Sequence, residues 1–385
     1  MRVTGIIAEC NPPHEGHKYL IREARLRTDA DYVVIAMSGD YVQRGAPSIL
    51  SRENRAGTLL EEGADLVVEL PLYVSCSGAD YFARGGVALL ESLGVVTDIA
   101  FGSESGDLDT LQAAARVLSE EDPAYRSLLQ EGLRNGLTFP QARAAAAGQS
   151  VPETPNDLLA TEYLKALRAS GSRIRPHAIP RTDCRSASEI RSQMLRSRRS
   201  TDPFLCRDDF SDMLLHAIYS AGCTDSTGSV ESVENLSCYL DVSNDIAGRI
   251  LRELPSFSTY SKFCEAVKTR NFTYTRISRA LLHILLGMTS QTMELFDRSY
   301  GLCGWIRPIG FRKSALALIR AITSSCSVPY LDKLAAAGQM LSDDLNGILL
   351  EEIRAEFLYD LMAVRRTGIT GKGVPSAFRK KLIVT

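Results

Sequence analysis

Two histidines near the N-terminus, His14 and His17, are the strongest chemical signal in the chain. They lie in the stretch CNPPHEGHKYL (residues 10–20), which directly follows the apolar run VTGIIAE (residues 3–9), and the chain holds only five histidines. Side chains three residues apart on a helix lie on the same face, so both imidazoles can face one ligand. Gly16 has no side chain to block the approach of that ligand to the backbone.

The position of these histidines favours phosphate as the ligand. A helix N-terminus offers free N–H groups and a positive dipole end. Two imidazoles there can donate hydrogen bonds to the phosphates of ATP, and these bonds strengthen as negative charge builds on the transferred group and on leaving pyrophosphate. The spacing alone is weak, because two histidines at a surface turn can simply be solvated. Zinc is the other alternative, but it needs more ligands than two, and we predict no protein-bound metal.

Four apolar, β-branched runs in the first hundred residues predict the strands that position this site. Each is apolar along most of its length, which suits a parallel sheet buried on both faces. Helical patterns between them predict βαβ units and a doubly wound sheet, in which ligands bind at the carboxyl ends of the strands near the switch point of strand order. The runs are VTGIIAE (3–9), YVVIAM (32–37), DLVVEL (65–70) and VTDIAF (96–101), and IRPHAIP (174–180) is a candidate for one more strand.

Beyond about residue 205 the helical patterns dominate, and ISRALLHILLGM (277–288) is the most apolar piece. We therefore predict an α/β protein. A Rossmann-like, doubly wound parallel sheet occupies residues 1–200, and a mostly α-helical domain occupies residues 201–385.

Composition limits the class of protein. The chain has 385 residues, of which 45% are hydrophobic and 23% charged, and its net charge is −2. The nine cysteines form no C-x-x-C pair, so reduced thiols are favoured over a zinc site or a disulfide framework. No apolar run approaches the roughly 18 to 20 residues that span a bilayer, and the first residues do not resemble a signal peptide. We expect a cytoplasmic protein with no membrane partner.

A second motif complements the first. The H-x-G-H arrangement resembles the signature of the nucleotidyltransferase superfamily, whose members usually carry a later phosphate-binding motif with serines and a basic residue. SASEIR (186–191) fits that role: Ser186 or Ser188 would cap the next helix, and Arg191 would point at the triphosphate. On its own the same stretch is equally well read as a capped surface helix.

A closer resemblance depends on eight motifs that occur in order from residue 1 to about 315. Read together, they resemble the bacterial tRNA(Met) cytidine acetate ligase family. After the first motif they are MSGDYVQRGAP (37–47), DLVVELP (65–71), ADYFARGGV (79–87), FGSESGD (101–107), PNDLLATEYLKAL (155–167), YTRISRALLHILL (274–286) and WIRPIGF (305–311).

The resemblance implies a two-step reaction. The family uses ATP and acetate to form acetyl-adenylate and pyrophosphate, and then transfers the acetyl group to the exocyclic amine of the wobble cytidine of elongator tRNA(Met). In that scheme His14 and His17 are the catalytic residues, and Mg²⁺ shares the phosphate charge.

The resemblance also implies the residues that hold ATP. They are Ile7, Ala8, Glu9, Cys10, Asn11, Pro12, Pro13, His14, Glu15, Gly16, His17, Lys18, Tyr19, Leu20, Gly102, Asn156 and Arg181. Two readings stay open here. Asn156 is either a base or ribose reader or the N-cap of the following helix. Arg44 either holds acetate or an RNA phosphate, or forms an ordinary loop salt bridge.

The sequence departs from the family pattern in three places. Cys10 and Pro13 stand where aromatic residues are usual, and Asp40 stands where asparagine is usual, which adds a negative charge near the site. The loop between Arg181 and SASEIR is only TDCR (182–185), where a longer insertion is typical.

A tRNA partner should leave a basic footprint on the protein. Residues 168–199 contain nine arginines and two acids, residues 268–313 contain eight basic residues and two acids, and residues 361–385 contain six basic residues and no acid. Tyr274 and Trp305 lie among basic residues, but we expect these aromatic side chains to belong to the core. Two alternatives remain open: an adenylyltransferase or ligase of small molecules, and a non-catalytic RNA-binding protein with a nucleotide-binding fold.

Overall fold

The computed structural model describes residues 1–120, 123–135, 154–182, 184–199, 201–222, 233–368 and 376–385, together with residues 142, 145, 152 and 374. Its strands are β1 (Val3–Ala8), β2 (Tyr32–Ser38), β3 (Tyr41–Val42), β4 (Ala46–Pro47), β5 (Leu66–Leu70), β6 (Asp98–Ser103), β7 (Arg175–Pro180), β8 (Arg307–Phe311) and β9 (Ile383–Val384).

Helices connect and cover these strands. They are α1 (Glu15–Thr28), α2 (Arg52–Glu61), α3 (Leu72–Ser75), α4 (Ala79–Ser92), α5 (Leu108–Glu120), α6 (Pro123–Arg134), α7 (Pro155–Ser170), α8 (Ala187–Arg196), α9 (Ser211–Gly222), α10 (Val233–Ser237), α11 (Asn244–Glu253), α12 (Tyr260–Val267), α13 (Tyr274–Leu286), α14 (Ser290–Tyr300), α15 (Leu316–Ser325), α16 (Ala337–Met340) and α17 (Asp343–Thr367).

The main sheet has seven strands in the order β7-β6-β1-β2-β5-β8-β9. From β7 to β5 all neighbours are parallel, and β8 is antiparallel to β5. The chain moves outward from β1 to β2 and β5, then returns to the other side of β1 to form β6 and β7. The strand order therefore reverses between β1 and β6, and the predicted doubly wound sheet is confirmed.

The apolar residues of the sheet divide between two cores, one on each face. Along β2, Val34 and Ala36 belong to one core, while Val33 and Ile35 belong to the other. Side chains alternate between the faces of a strand, so a strand that is apolar at every position is covered on both sides. Helices α1 and α2 cover one face, while α4 and α7 pack with the helical part of the chain on the other.

Strands from beyond residue 200 complete the sheet. β8 pairs with β5, and β9 pairs with β8. Helix α17 also contacts the N-terminal part, because the hydroxyl of Tyr41 donates to the carbonyl of Ala355 at 3.1 Å and that of Tyr359 donates to Ser48 at 3.0 Å. The predicted division at residue 200 stays a prediction, but the sheet itself draws on both sides of it.

Within the described residues, no helix is both long and apolar enough to cross a bilayer.

Candidate functional site

His14 and His17 lie at the junction of β1 and α1, at the switch point of the sheet. His14 is the N-cap of α1, and its Nδ1 accepts the backbone N–H of Gly16 at 3.0 Å. The Nδ1 of His17 accepts the backbone N–H of His14 at 3.3 Å. The two rings thus form a reciprocal cap, with 4.1 Å between their centroids. The sequence predicts that the helix begins near these residues, but the cap by His14 is a finding of the structure, because histidine is not among the preferred N-cap residues.

The same hydrogen bonds fix the protonation of both rings. A neutral imidazole that accepts through Nδ1 carries its hydrogen on Nε2. Burial, His14 and Arg181 together lower the pKa of His17 to about 3, and burial is the largest of these causes. Burial also lowers the pKa of His14, with Arg181 and Arg191 adding to the effect. Both side chains are therefore neutral donors at pH 7, and the Nε2–H of each has no hydrogen-bond partner among the described residues.

These rings line a cleft of about 550 Å³ at the carboxyl ends of β1 and β6, a size typical of small-ligand sites. The structure brings most of the predicted site residues to this cleft. They are Ile7, Ala8, Glu9, Cys10, Asn11, His14, Gly16, His17, Tyr19, Leu20, Arg44, Gly102, Asn156, Arg181, Ser188 and Arg191. Their assignment to ATP stays a prediction.

Four residues of the predicted ATP segment are not among those that line the cleft. They are Pro12, Pro13, Glu15 and Lys18. Lys18 instead pairs with Glu62 at 2.9 Å on the outer side of α1. Because a helix turns 100° per residue, a continuous segment that enters a helix cannot present every side chain to one ligand.

The second motif, SASEIR, meets the cleft from helix α8. Ser186 caps this helix and accepts from the N–H of Glu189, whose carboxylate accepts from the N–H of Ser186 at 2.8 Å. Ser188 and Arg191 line the cleft, and the Nη1 of Arg191 donates to the carbonyl of Asn11 at 2.6 Å. The motif is thus both the capped helix and a wall of the cleft, so its two readings are compatible. Asp183, in the short loop before it, lies outside the described residues.

The opposite wall follows β6. Gly102 exposes bare backbone there. A Cβ added to Gly102 would have one described atom within 4 Å, the Cγ of Arg181 at 3.7 Å. Glu104 was not singled out from the sequence, yet it accepts from the backbone N–H of Asn156 at 3.1 Å and from its side-chain amide. It also pairs with Arg181 at 3.4 Å. The signal in the sequence was its place two residues after Gly102, at the end of a predicted strand.

Asn156 is not the N-cap of its helix. Thr154 occupies that position, and Asn156 lies in the first turn of α7. The next residue, Asp157, accepts from the backbone N–H groups of Glu104 and Ser105, both at 3.0 Å. This turn therefore holds the loop after β6. The N-cap reading of Asn156 was wrong because the helix already begins at Pro155, with Thr154 as its N-cap.

Arg44 reaches the cleft from a short hairpin whose tip is Gln43, Arg44 and Gly45. The helical part of the chain holds this tip, because the carbonyl of Gly45 accepts from Ser278 at 2.6 Å and from Arg207 at 3.1 Å. Arg207 also donates to the carbonyl of Arg44 at 2.9 Å. The loop salt bridge considered for Arg44 is not among the ion pairs of the described residues, and Gln43 lines the cleft beside it.

Glu9 ends the first predicted strand run and lies between this hairpin and α8. Burial raises the pKa of its carboxyl, and the positive charges of Arg44 and Arg191 act against that rise. Its Oε1 atom is buried and has no hydrogen-bond partner among the described residues. The sequence places Glu9 in the ATP segment but gives no hint of this environment, which depends on side chains from distant parts of the chain.

Two of the unusual residues are buried. Cys10 has a left-handed backbone with φ of 50°, and burial raises the pKa of its thiol to about 12, so it is protonated at pH 7. Asp40 lies outside the cleft lining, next to a buried ion cluster. This cluster consists of Arg52, Glu53, Glu69, Arg307, Glu356, Asp360 and Lys380. Burial raises the pKa of Asp40 to about 7.

The predicted basic stretches contain residues that lie in the interior as well as residues near the surface. Lys380, in the basic C-terminal stretch, is engaged in the buried ion cluster with Glu356 and Asp360. Trp305 is buried against Phe296, with 5.9 Å between ring centroids, which confirms that it belongs to the core. Tyr274 is partly buried, and the guanidinium of Arg207 lies over its ring at 5.6 Å.

The fold and site define a class. A strand, a histidine-capped helix and a cleft at the switch point are the parts of a nucleotidyltransferase, and the family model described as HIGH Nucleotidyl Transferase matches residues 1–370. The tRNA(Met) cytidine acetate ligase of Acetivibrio thermocellus is 35% identical over 93% of this chain and 94% of that protein. The ligase of Thermoanaerobacter sp. is 32% identical over 96% and 98%. The chain belongs to the tRNA(Met) cytidine acetate ligase family.

Solved structures agree with this assignment. The crystal structure of Thermotoga maritima TmcAL in its apo form has a TM-score of 0.89 and 26% identity, and the match covers 100% of this chain and 99% of that one. The structure of the same protein bound with alpha-thio ATP has a TM-score of 0.86 and 26% identity, over 95% of this chain and 96% of that one. The predicted fold class and the resemblance read from the sequence are confirmed.

Proposed function

We propose that this protein is an ATP-dependent ligase that acetylates the exocyclic amine of the wobble cytidine of elongator tRNA(Met) through an acetyl-adenylate. Relatives that match nearly the whole chain are tRNA(Met) cytidine acetate ligases, and a structural relative binds alpha-thio ATP. The observation that carries the proposal is the pair of neutral histidine donors at the switch-point cleft. The tRNA substrate makes the cytoplasm the place of the reaction.

In the first step, an oxygen of acetate attacks the α-phosphorus of ATP. A P–O bond forms to acetate, the bond from the α-phosphorus to the bridging oxygen breaks, and pyrophosphate leaves. The Nε2–H groups of His14 and His17, with Arg181, donate to the phosphates as negative charge develops on them. Ser188 and Arg191 add a hydroxyl and a guanidinium to this group of donors.

Magnesium enters this scheme as part of the substrate. Within the described residues there is no group of three or more His, Cys, Asp or Glu side chains placed to hold a metal ion. Mg²⁺ prefers phosphate oxygens and water over a complete set of protein ligands. We therefore propose that it arrives bound to ATP, with the protein holding the phosphates.

In the second step, the amine of the cytidine attacks the acetyl carbonyl, and AMP leaves. The tRNA must reach the cleft beside the hairpin that carries Arg44, because this side borders the helical part of the chain, where Arg207 and Ser278 hold the tip. Arg44 is exposed, so it is placed to meet an RNA phosphate or the acetate as either enters.

The test is direct acetylation. The protein is incubated with ATP, labelled acetate and a tRNA(Met) transcript, and the digested nucleosides are analysed by mass spectrometry. We expect acetylcytidine that requires both ATP and acetate, and none with a transcript that carries uridine at the wobble position. Turnover on small amines without tRNA binding would overturn the tRNA assignment. Absence of acetylcytidine, with His14→Ala leaving all behaviour unchanged, would overturn the enzyme assignment.

A further inference from the structure

We infer that Glu9 is the catalytic residue that accepts a proton from the attacking amine in the second step, which rests on the function proposed above. The proposed reaction needs such a group, because an exocyclic amine is a weak nucleophile and must lose a proton once it has bonded to the acetyl carbon. A carboxylate is also the side chain that accepts hydrogen bonds from the amine of cytosine.

The cleft offers one side chain of this kind. Among the described residues that line it, Glu9 is the only carboxylate, while Arg44, Arg181 and Arg191 supply positive charge. The backbone N–H of Gln43 acts with these positive charges to favour the ionised form of the Glu9 carboxyl. The Oε1 atom of Glu9 is a buried acceptor without a partner in the described part of the chain. A buried acceptor without a partner is costly, so its persistence favours a partner that comes from the substrate.

The neighbouring arginines favour the ionised form of the Glu9 carboxyl through their charge, while their hydrogen bonds are made to other groups. Arg191 donates to the carbonyl of Asn11, and Arg44 is fixed through its backbone by Arg207. Their positive charges oppose the effect of burial on Glu9, and burial prevails, so its pKa is raised above the ordinary value of 4.5. A base with a raised pKa binds a proton more strongly, which suits proton transfer near neutral pH.

The step balances as follows. The nitrogen lone pair of the amine forms a C–N bond to the acetyl carbon of the acetyl-adenylate. The bond from that carbon to the phosphate oxygen breaks, and AMP leaves with the electron pair. One amine proton passes to Oε1 of Glu9 and from there to solvent, which restores the carboxylate.

Glu9→Gln is the decisive variant, because glutamine keeps the size of the side chain and an acceptor oxygen but cannot take the proton. Two reactions are measured for it: acetate-dependent exchange of pyrophosphate into ATP, which reports the first step, and single-turnover acetyl transfer to tRNA(Met). We expect transfer to fall by about 10²-fold or more, as for the loss of a general base, and to fall at least about 10-fold further than exchange. Glu294→Gln is the matched control, since Glu294 is an exposed carboxylate on α14 outside the cleft lining, and it should change neither reaction.

The pH dependence of the transfer rate distinguishes a catalytic role of Glu9 from a purely structural one, because a structural residue would not shift it. The wild-type transfer rate should fall in acid as Glu9 becomes protonated, and Glu9→Asp should shift that fall and restore part of the rate. The charged and titratable groups that face Glu9 are Arg44, Arg55, Arg191, Cys10, Cys76 and Tyr163. Burial raises the pKa of both thiols to about 12 and also raises that of the Tyr163 hydroxyl, so these three groups stay protonated between pH 5 and 8.

The outcomes separate the two proposals. If the wild-type protein shows neither acetate-dependent exchange nor acetylcytidine, the proposed function fails. If the wild type is active and Glu9→Gln transfers at full rate, or loses exchange and transfer equally, the role of Glu9 fails instead. Should Glu9→Gln not fold, which circular dichroism would reveal, a Glu9→Asp variant with an unshifted pH profile would overturn the assignment.

Discussion

The cleft and the buried ion cluster are both rich in charged groups, but they use them in opposite ways. In the buried ion cluster each cation meets at least two carboxylates: Arg52 contacts both oxygens of Glu69 at 2.8 Å and pairs with Glu356 at 2.5 Å. In the cleft, His14 and His17 accept through Nδ1 and keep the other nitrogen free, and Glu9 keeps one oxygen without a partner in the described residues.

This difference separates structural charges from functional ones. A charge whose partners all come from the chain holds elements together, here β5, β8 and α17. A polar group that is fixed at one atom and free at another is oriented for something outside the chain. Substitutions should therefore affect stability in the cluster and catalysis in the cleft.

The largest effect on stability is expected from Arg52→Met. It leaves Glu69 and Glu356 buried with one cation fewer, which should lower the free energy of unfolding by about 3–5 kcal/mol, measured by urea denaturation. The control is Arg298→Met on α14, whose exposed pair with Glu294 should contribute almost nothing. Equal effects from the two substitutions would remove the distinction between the cluster and an ordinary surface pair.

In the cleft, His17→Ala should mainly affect catalysis. Loss of one preorganised donor to the phosphates should reduce acetate-dependent pyrophosphate exchange by about 10²–10³-fold, whereas alanine is well tolerated in a helix. Exchange kinetics and thermal unfolding of the same sample measure both quantities. If His17→Ala lost as much stability as Arg52→Met and changed exchange little, His17 would have a structural role like the charges of the buried ion cluster.

The hairpin that links the two parts of the chain should show an intermediate effect. Gly45 has φ of +66°, and an added Cβ would overlap the backbone of Ser278 and Arg279. Gly45→Ala should cost about 2 kcal/mol or more of stability, because the left-handed conformation alone costs about 1–2 kcal/mol. Gly287→Ala is the control, with φ of +75° but no atom within 4 Å of the added Cβ among the described residues. Denaturant unfolding should show the larger loss for Gly45→Ala.

The effect expected from Asp40→Asn depends on pH. The folded protein raises the pKa of Asp40 from 3.8 to about 7, so it binds this proton more tightly than the unfolded chain does. Stability is therefore lost as pH rises from about 4 to 7, and the asparagine variant avoids that loss. At pH 8 it should be more stable than the wild type by up to about 4 kcal/mol, the full value of this pKa change, with little difference at pH 4, measured by urea unfolding across this range. A gain independent of pH would contradict this account.

Local patterns predicted the parts of the molecule that depend on near neighbours. The five parallel strands are visible as apolar runs, and the place of His14 and His17 at the start of a helix is visible because strand, histidines and helix follow one another directly. A serine cap was predicted for the helix of SASEIR at Ser186 or Ser188, and the structure has it at Ser186.

The remaining features depend on contacts between distant residues. Strand β8 contains Arg307 and two residues, Pro308 and Gly310, that local patterns disfavour in strands, and it is a strand because β5 offers it an edge. Lys380 resembles part of an exposed basic tail, yet it lies against carboxylates from α2 and α17. The environment of Glu9 is of the same kind, since its neighbours come from residues about 35 and 180 positions away.

The reciprocal cap of the two histidines has a consequence for the protonation of the site at low pH. Many phosphate sites built from histidine change their affinity when the cell interior acidifies, because the ordinary pKa of imidazole lies near 6.5. Here burial and neighbouring arginines lower the pKa of both rings, that of His17 to about 3. A fall of one pH unit from neutrality would therefore leave the imidazole of His17 neutral and its hydrogen-bond donor in place.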